Sequence, residues 1–377
     1  MFLLPIFVLF LLWLIEIFKK SRKDTCFNIG WLLLTLMLCF RFAQGTDYPE
    51  YWMYYNFGDN HSELGWVLLT WIFKSLGFSF EEFVFFISLF MMFCVYKSIS
   101  IYLKDSSKCL ALLLLYPTIY LTDFFNTIRL GFAIAVFLGY MLPWLEENQT
   151  WKYILCSVFL TFIQSLSLLF VPLVLLKDIK INKIKYIIIL SLIFGSIIYI
   201  LPISFFSGIN IRTLYIYLPL REIGLLALLE KTILFLIIVF LYYTCRKNQT
   251  DKFLYRICAY GLCYSFIFVG WQLITSRVFQ MIACCMILLI PRLISRLTNL
   301  SNKRIITTII IVYVIVISSK NIAAYMRQLD LDDINIFSCP YVSVFNKEEA
   351  LNINYGNFKN FGISYSEYYS LFFNQIR

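Results

Sequence analysis

The chain is a near-continuous succession of apolar runs, many of them about as long as a membrane span. A helix needs about 20 mostly apolar residues to cross the hydrocarbon layer. Runs at residues 2–18, 27–42, 82–102, 109–122, 130–145, 153–176, 184–201, 225–243, 253–274, 278–290 and 305–317 reach or approach that length. A soluble chain carries about 25% charged residues; here 14% of 377 residues are charged and 61% are hydrophobic, too few charges to solvate an ordinary surface. The expected fold class is an all-α polytopic membrane protein with about 11–12 transmembrane or re-entrant helices.

The net charge of +10 suggests nucleic acid until its distribution is read. Lys and Arg gather in short clusters between apolar runs, as in the cytoplasmic loops of membrane proteins, so no nucleic-acid partner is expected. The first run precedes its basic cluster (Lys19, Lys20, Arg22, Lys23), the reverse of a cleaved signal, and is read as a retained span with the N-terminus outside. The same bias makes residues 1–318 a membrane-embedded domain with outer loops at 43–63 and 202–224, and places a tail, 319–377, outside. The run at 64–77 is short and is expected to be interfacial or re-entrant. The run at 153–176 has cytoplasmic-type charge at both ends and a polar centre (Gln164, Ser165, Ser167), which fits a broken hairpin with its tip at the outer face. The cysteines show no metal-ligand spacing; no metal site, structural disulfide or cofactor is expected.

The outer-face polar residues are the candidates for chemistry. Five arginines fall there against the usual loop bias: Arg41, Arg129, Arg212, Arg221 and Arg277. Taken alone, Arg41, Arg212 and Arg221 read equally as snorkelling anchors, and Arg129, between Asn126-Thr127 and the small-residue stretch from Gly131 to Ala135, less so. Converging, their planar donor forks suit a diphosphate. The loop at 41–63 adds Asp47, Glu50, Asp59, Glu63 and His61, the only histidine. Asp47, Glu50, His61 or Glu63 is placed to act as general base on a hydroxyl, the bland alternative being a solvated acidic loop. Tyr48, Tyr51 and Trp52 read as an interfacial aromatic belt or as a stacking platform for sugar, with Asn126 and Gln164 as polar partners.

The motifs in order are Gly45-Thr46-Asp47-Tyr48 with Tyr51 and Tyr55, then Glu63-Leu64-Gly65, then Phe125-Asn126-Thr127-Ile128-Arg129 with Ala133, and a late Arg277 before an apolar span. This order resembles the EpsG-like and Wzy-type polysaccharide polymerases of bacteria over most of residues 41–291. The chain departs from the family pattern at Leu130, where Gln is usual, and at Gln164, where a His often precedes Ser or Thr. The resemblance implies a GT-C-like architecture in the bacterial inner membrane. It implies glycosidic-bond formation at the periplasmic face between undecaprenyl-diphosphate-linked oligosaccharides, one as donor and one as acceptor. Under it the arginines hold the diphosphate, a carboxylate or His61 serves the acceptor, no metal is needed, and a chain-length regulator protein is a further partner.

Two other classes remain open. A flippase for lipid-linked repeat units also needs cationic residues, but within a central cavity rather than at helix ends. Another membrane glycan transferase, or an acyltransferase resting on His61, is the second. No internal repeat supports a secondary transporter, and no Gly-rich Lys-Ser/Thr loop supports an ATP-driven pump.

Overall fold

The structure is a computed structural model. It describes residues 2–19, 23–45, 47–58, 63–200, 224–244, 248–298, 300–328 and 341–347. These residues form helices joined by short links, with one isolated antiparallel bridge between Arg41 and Ser343. In chain order the helices are α1 (Leu4–Phe18), α2 (Lys23–Cys39), α3 (Tyr48–Phe57), α4 (Leu64–Ser75), α5 (Phe80–Tyr102), α6 (Lys108–Leu115), α7 (Ile128–Glu146), α8 (Thr150–Thr161), α9 (Leu173–Leu176) and α10 (Ile181–Ile200). They continue as α11 (Leu225–Thr244), α12 (Gln249–Ile267), α13 (Gln272–Ala283), α14 (Met286–Ser295) and α15 (Leu300–Gln328). Among the described residues four stretches are long and apolar enough to cross a membrane: Phe80–Tyr102, Ile128–Glu146, Ile181–Ile200 and Ser301–Ala323. Ile274–Ala283 and Met286–Ser295, bent by 48°, make a fifth if they form one span. Shorter apolar helices such as Leu4–Phe18 and Asp24–Cys39 complete a multi-pass bundle.

A helix that is apolar all round must lie in a core or in lipid, and both outcomes occur. Every residue from Cys109 to Leu115 of α6 is buried, enclosed by α1, α2, α5 and α14. The equally apolar α10 is only 17% buried over its span window, leaving an apolar surface of the kind lipid would cover. Beyond α6 the chain widens into a π-helix, Tyr116–Phe124, with Pro117 in its first turn. Proline lacks the N–H of a regular turn and its ring crowds the carbonyl four residues back; a π-turn relieves both. Nearby backbone oxygens are satisfied by side chains: Thr118 Oγ1 donates to Leu114 O at 2.7 Å and Asn321 Nδ2 to Pro117 O at 2.8 Å.

The two ends of the bundle differ in charge. At one end Asp251, fully buried, accepts from Arg292 Nε at 2.7 Å and from Arg296. There too Glu16 caps the start of α6, accepting from Lys108 N at 2.9 Å and Cys109 N at 3.1 Å, and Lys108 pairs with Asp24 at 2.6 Å. Lys108, Arg292 and Arg296, from two of the basic clusters expected in cytoplasmic loops, therefore share one end. The opposite end carries the residue 2 terminus, the 41–58 loop and helix, and the π-helix end: Phe2 packs edge-on to Phe125 at 5.7 Å.

Helix α4 begins and finishes at this second end. Its first amides meet Phe162 O, and Lys74 in its last turn donates to Asn56 O at 2.7 Å. Twelve residues span about 18 Å, short of a crossing. The 153–176 run folds back as expected: α8 stops at Thr161, a 3₁₀ turn follows at Ser165–Phe170, and Tyr153 Oη donates to Phe170 O at 2.7 Å. Two boundaries move. The return after α12 starts at Gln272, so Arg277 sits inside α13 rather than at the end of an outgoing span. Helix α15 runs on through Gln328, so residues 319–328 are helical and do not open the tail.

Candidate functional site

Three stretches far apart in sequence meet at the first turn of α7. Arg129 Nη1 lies 2.5 Å from Glu63 Oε2, each side chain a little over one-fifth exposed. The other Glu63 oxygen accepts from Ser165 N at 3.1 Å, at the tip of the broken hairpin. Arg129 also stands over the Tyr51 ring, 5.6 Å from its centroid, and its Nε makes a long 3.5 Å contact with Tyr51 Oη. A guanidinium held by a carboxylate on one edge and a ring on its face keeps donors in a fixed direction, which a snorkelling arginine does not.

The local sequence explains why these parts can touch. Glu63 is the residue before α4 and has extended backbone; its side chain leaves the helix instead of capping it. Phe162 O does the capping, accepting from Gly65 N at 2.7 Å and Trp66 N at 3.3 Å. A Cβ at position 65 would stand 2.7 Å from Phe162 O, so only glycine lets the hairpin tip reach the helix end. Gly45 has φ +109 and a Cβ there would lie 2.4 Å from Phe125 O, which seats the Asp47 turn against Phe125 and Asn126.

Asp47 and Glu50 both place negative field on Tyr51, and Glu50 also acts on Arg129. Glu50 Oε1 accepts from Tyr54 Oη at 2.7 Å. Burial pushes the Tyr51 phenol up to about 12, and the Arg129 charge opposes that rise, so Tyr51 is a neutral hydroxyl at physiological pH.

A second cluster lies at the end of the π-helix. The Asp123 carboxylate is buried, accepting from Thr122 Oγ1 at 3.0 Å and from Thr127 Oγ1 at 3.4 Å. Gln280 of α13 satisfies its surroundings with its amide nitrogen toward Asp123 Oδ1 (3.2 Å) and Ser276 O (3.3 Å), and its oxygen accepting from Thr122 Oγ1 (3.1 Å). Arg277, one turn before Gln280, is within electrostatic reach of Asp123, and α13 packs on α7. The EpsG family model matches residues 24–329, most of the chain.

The chain belongs to the EpsG family. EpsG-like proteins are akin to the Wzy-type polymerases, as the motif order implies. No curated protein and no solved structure matches the chain.

Several expected site residues change role in this EpsG-family chain. Tyr48, Tyr51 and Trp52 are buried, at 1%, 6% and 7% exposure. Tyr48 packs edge-on to Phe80 at 5.1 Å and Tyr51 against Trp66 at 5.8 Å, so these rings form the core that fixes α3 against α4 and α5. Arg41 is likewise enclosed, 1% exposed. It donates to Phe124 O at 2.7 Å and lies 5.1 Å from the Phe125 ring centroid; burial lowers its pKa. Residues 341–347 lie over it, with Phe42 N donating to Val342 O at 3.1 Å and Val344 N to Phe40 O at 2.9 Å. Gln164 is buried at the hairpin tip, next to the Ser165 amide that meets Glu63. Asn126 is partly buried on the π-helix side of Arg129. His61, Arg212 and Arg221 lie outside the described residues, as does Asp59.

Asp123 and Gln280 are the residues the sequence reading passed over. Asp123 is a carboxylate closing an apolar run, a position where a charge is functional by default. Among the described residues no group of His, Cys, Asp and Glu side chains is arranged to hold a metal ion.

Proposed function

We propose that this protein polymerises undecaprenyl-diphosphate-linked oligosaccharide units into O-antigen or a related surface polysaccharide, at the periplasmic face of the bacterial inner membrane. The observation that carries the reading is the convergence on Arg129 of Glu63, Tyr51 and the 165 amide, three separate segments spent on orienting one cation. In this reading an acceptor sugar hydroxyl attacks the anomeric carbon of the donor. The new C–O bond forms as the bond to the lipid diphosphate breaks, and the diphosphate leaves with that electron pair. Arg129 and Arg277 stabilise the charge developing on it, fixed cations aimed where charge appears. Asp123 is the counter-ion that positions Arg277. Glu63, committed to Arg129, is a positioning residue, which leaves Asp47, Glu50 or His61 to take the hydroxyl proton. Fixed guanidinium charges serve in place of a metal. A chain-length regulator protein is the expected partner.

The test is deletion of the gene from its host and separation of the surface polysaccharide on a gel. Loss of the ladder with a single repeat unit retained supports polymerisation. Loss of the capped lipid altogether sinks it in favour of a flippase, and an unchanged ladder sinks both. Complementation with Arg129→Ala or Arg277→Ala should restore membrane insertion but no polymer; normal ladders from both variants would remove the diphosphate role.

A further inference from the structure

A cavity of about 140 Å³ lies within the helices beside the Asp123–Gln280 cluster, and nothing above uses it. Its walls come from the π-helix and from α11, α13, α14 and α15, with Thr122 and Gln280 on the side facing Asp123. Lys231 of α11 reaches into it. That side chain is 6% exposed, and its ammonium makes no hydrogen bond, resting 5.8 Å from the centroid of the Phe279 ring. A buried ammonium with unmet donors is costly wherever it has no ligand. Its neighbour in sequence, Glu230, is engaged with Lys320 across the cavity, so these three charged residues carry a net charge of +1.

The position of the cavity indicates how a ligand enters. Helix α11 packs on α12 and α14, and α15 packs on the π-helix and α14; the Glu230–Lys320 pair ties α11 to α15. The outer faces of both helices are apolar and exposed, with Ile233 and Leu236 on one and Val312 and Val316 on the other. Apolar faces of this kind on both sides of the cavity suit lipid acyl chains. Lys231 sits about 10 Å below the start of α11, by helical rise. That volume has room for one phosphoryl group. We propose that the Lys231 cavity binds the phosphate monoester head of a membrane lipid that enters between α11 and α15. This site does not depend on the reaction proposed above, because it takes a single phosphate and uses neither Arg129 nor Glu63.

Native mass spectrometry of the full-length protein in detergent tests this, with dilauroyl phosphatidic acid as probe and dilauroylglycerol as the phosphate-free control. Wild type should retain one phosphatidic acid. Lys231→Met should bind it about tenfold or more weakly, the scale of a lost charge-assisted hydrogen bond, and Lys231→Arg should keep most of the binding. Thermal melting of the wild type alone gives a second reading: phosphatidic acid should raise the midpoint and dilauroylglycerol should not. Equal binding by wild type and Lys231→Met overturns the proposal, as does equal binding of dilauroylglycerol. Displacement by an equal concentration of inorganic phosphate also overturns it, since the site would then serve a soluble anion.

Discussion

Arg129 differs from the other arginines of this chain in how many groups hold it. Glu63 takes one edge, Tyr51 one face, and the carboxylate itself is fixed by the Ser165 amide. Glu63→Gln keeps an acceptor for that amide but removes the charge that orients the guanidinium. A partly buried charge-assisted bond is worth about 1.5–3 kcal/mol, so polymer yield should fall about tenfold or more, measured as ladder intensity at equal protein level. An unchanged ladder would mean that Arg129 keeps its place without Glu63. Arg129 was legible in the sequence because a cation at a helix start beside Asn126 and Thr127 has few bland explanations. Arg41 carried no such local signal, and it is enclosed. The tail residues that cover it lie some three hundred positions away in sequence, and no local pattern announces them. Tyr48 and Trp52 misled for a related reason: an aromatic cluster beside an apolar run reads as a membrane belt, while their burial depends on α4 folding back onto α3. Lys231 was readable, since a lysine inside an apolar run is a signal in itself.

Among the elements, the π-helix at Tyr116–Phe124 has the most direct link to function. A π-turn inserts one residue into the helical register and so turns everything after it by about 100°. That extra rotation sets where Asp123 and the following Arg129 point. Pro117→Ala removes the residue that blocks a regular turn and returns about 3 kcal/mol of helix propensity. The variant should melt at or above the wild-type temperature while losing polymerisation. Loss of both stability and activity would mean that the π-turn is only a packing requirement. Proline inside an apolar run was visible beforehand, but the choice between a kink and a π-turn depends on Asn321 and Thr118 reaching backbone oxygens. The broken hairpin was legible because its polar centre and doubly basic ends conflict with a single crossing. The extension of α15 to Gln328 was hidden by Ser318, Ser319, Lys320 and Asn321, which resemble the end of a span. Asn321 instead reaches Pro117 O, and the exposed Lys320 pairs with Glu230.

The whole molecule is polarised, with Asp251, Glu16 and their basic partners at one end and Glu63, Arg129, Asp47 and Glu50 at the other. The fold class and this division followed from hydropathy and charge bias, because both are sums over many residues and tolerate local error. The packing did not, since α6 and α10 are alike in composition and opposite in burial. Single-cysteine variants on a cysteine-free background make the division measurable. A membrane-impermeant maleimide added to intact inner-membrane spheroplasts should label Asp47→Cys and leave Lys104→Cys unlabelled, with the pattern reversed in inverted vesicles. Labelling of both from one side would overturn the sidedness on which the proposed reaction rests.

The residue 2 end and the 341–347 segment come together on the same few side chains. Phe2 meets both Phe125 and Tyr341, and Tyr341 Oη donates to Met37 O at 2.7 Å. A ribosome releases these two pieces at opposite moments of synthesis. Helices α1 and α2 are therefore made well before the 341–347 segment that covers Arg41. The cover over Arg41 is thus built from a segment some three hundred residues downstream of it, and deleting residues 341–347 would expose that guanidinium.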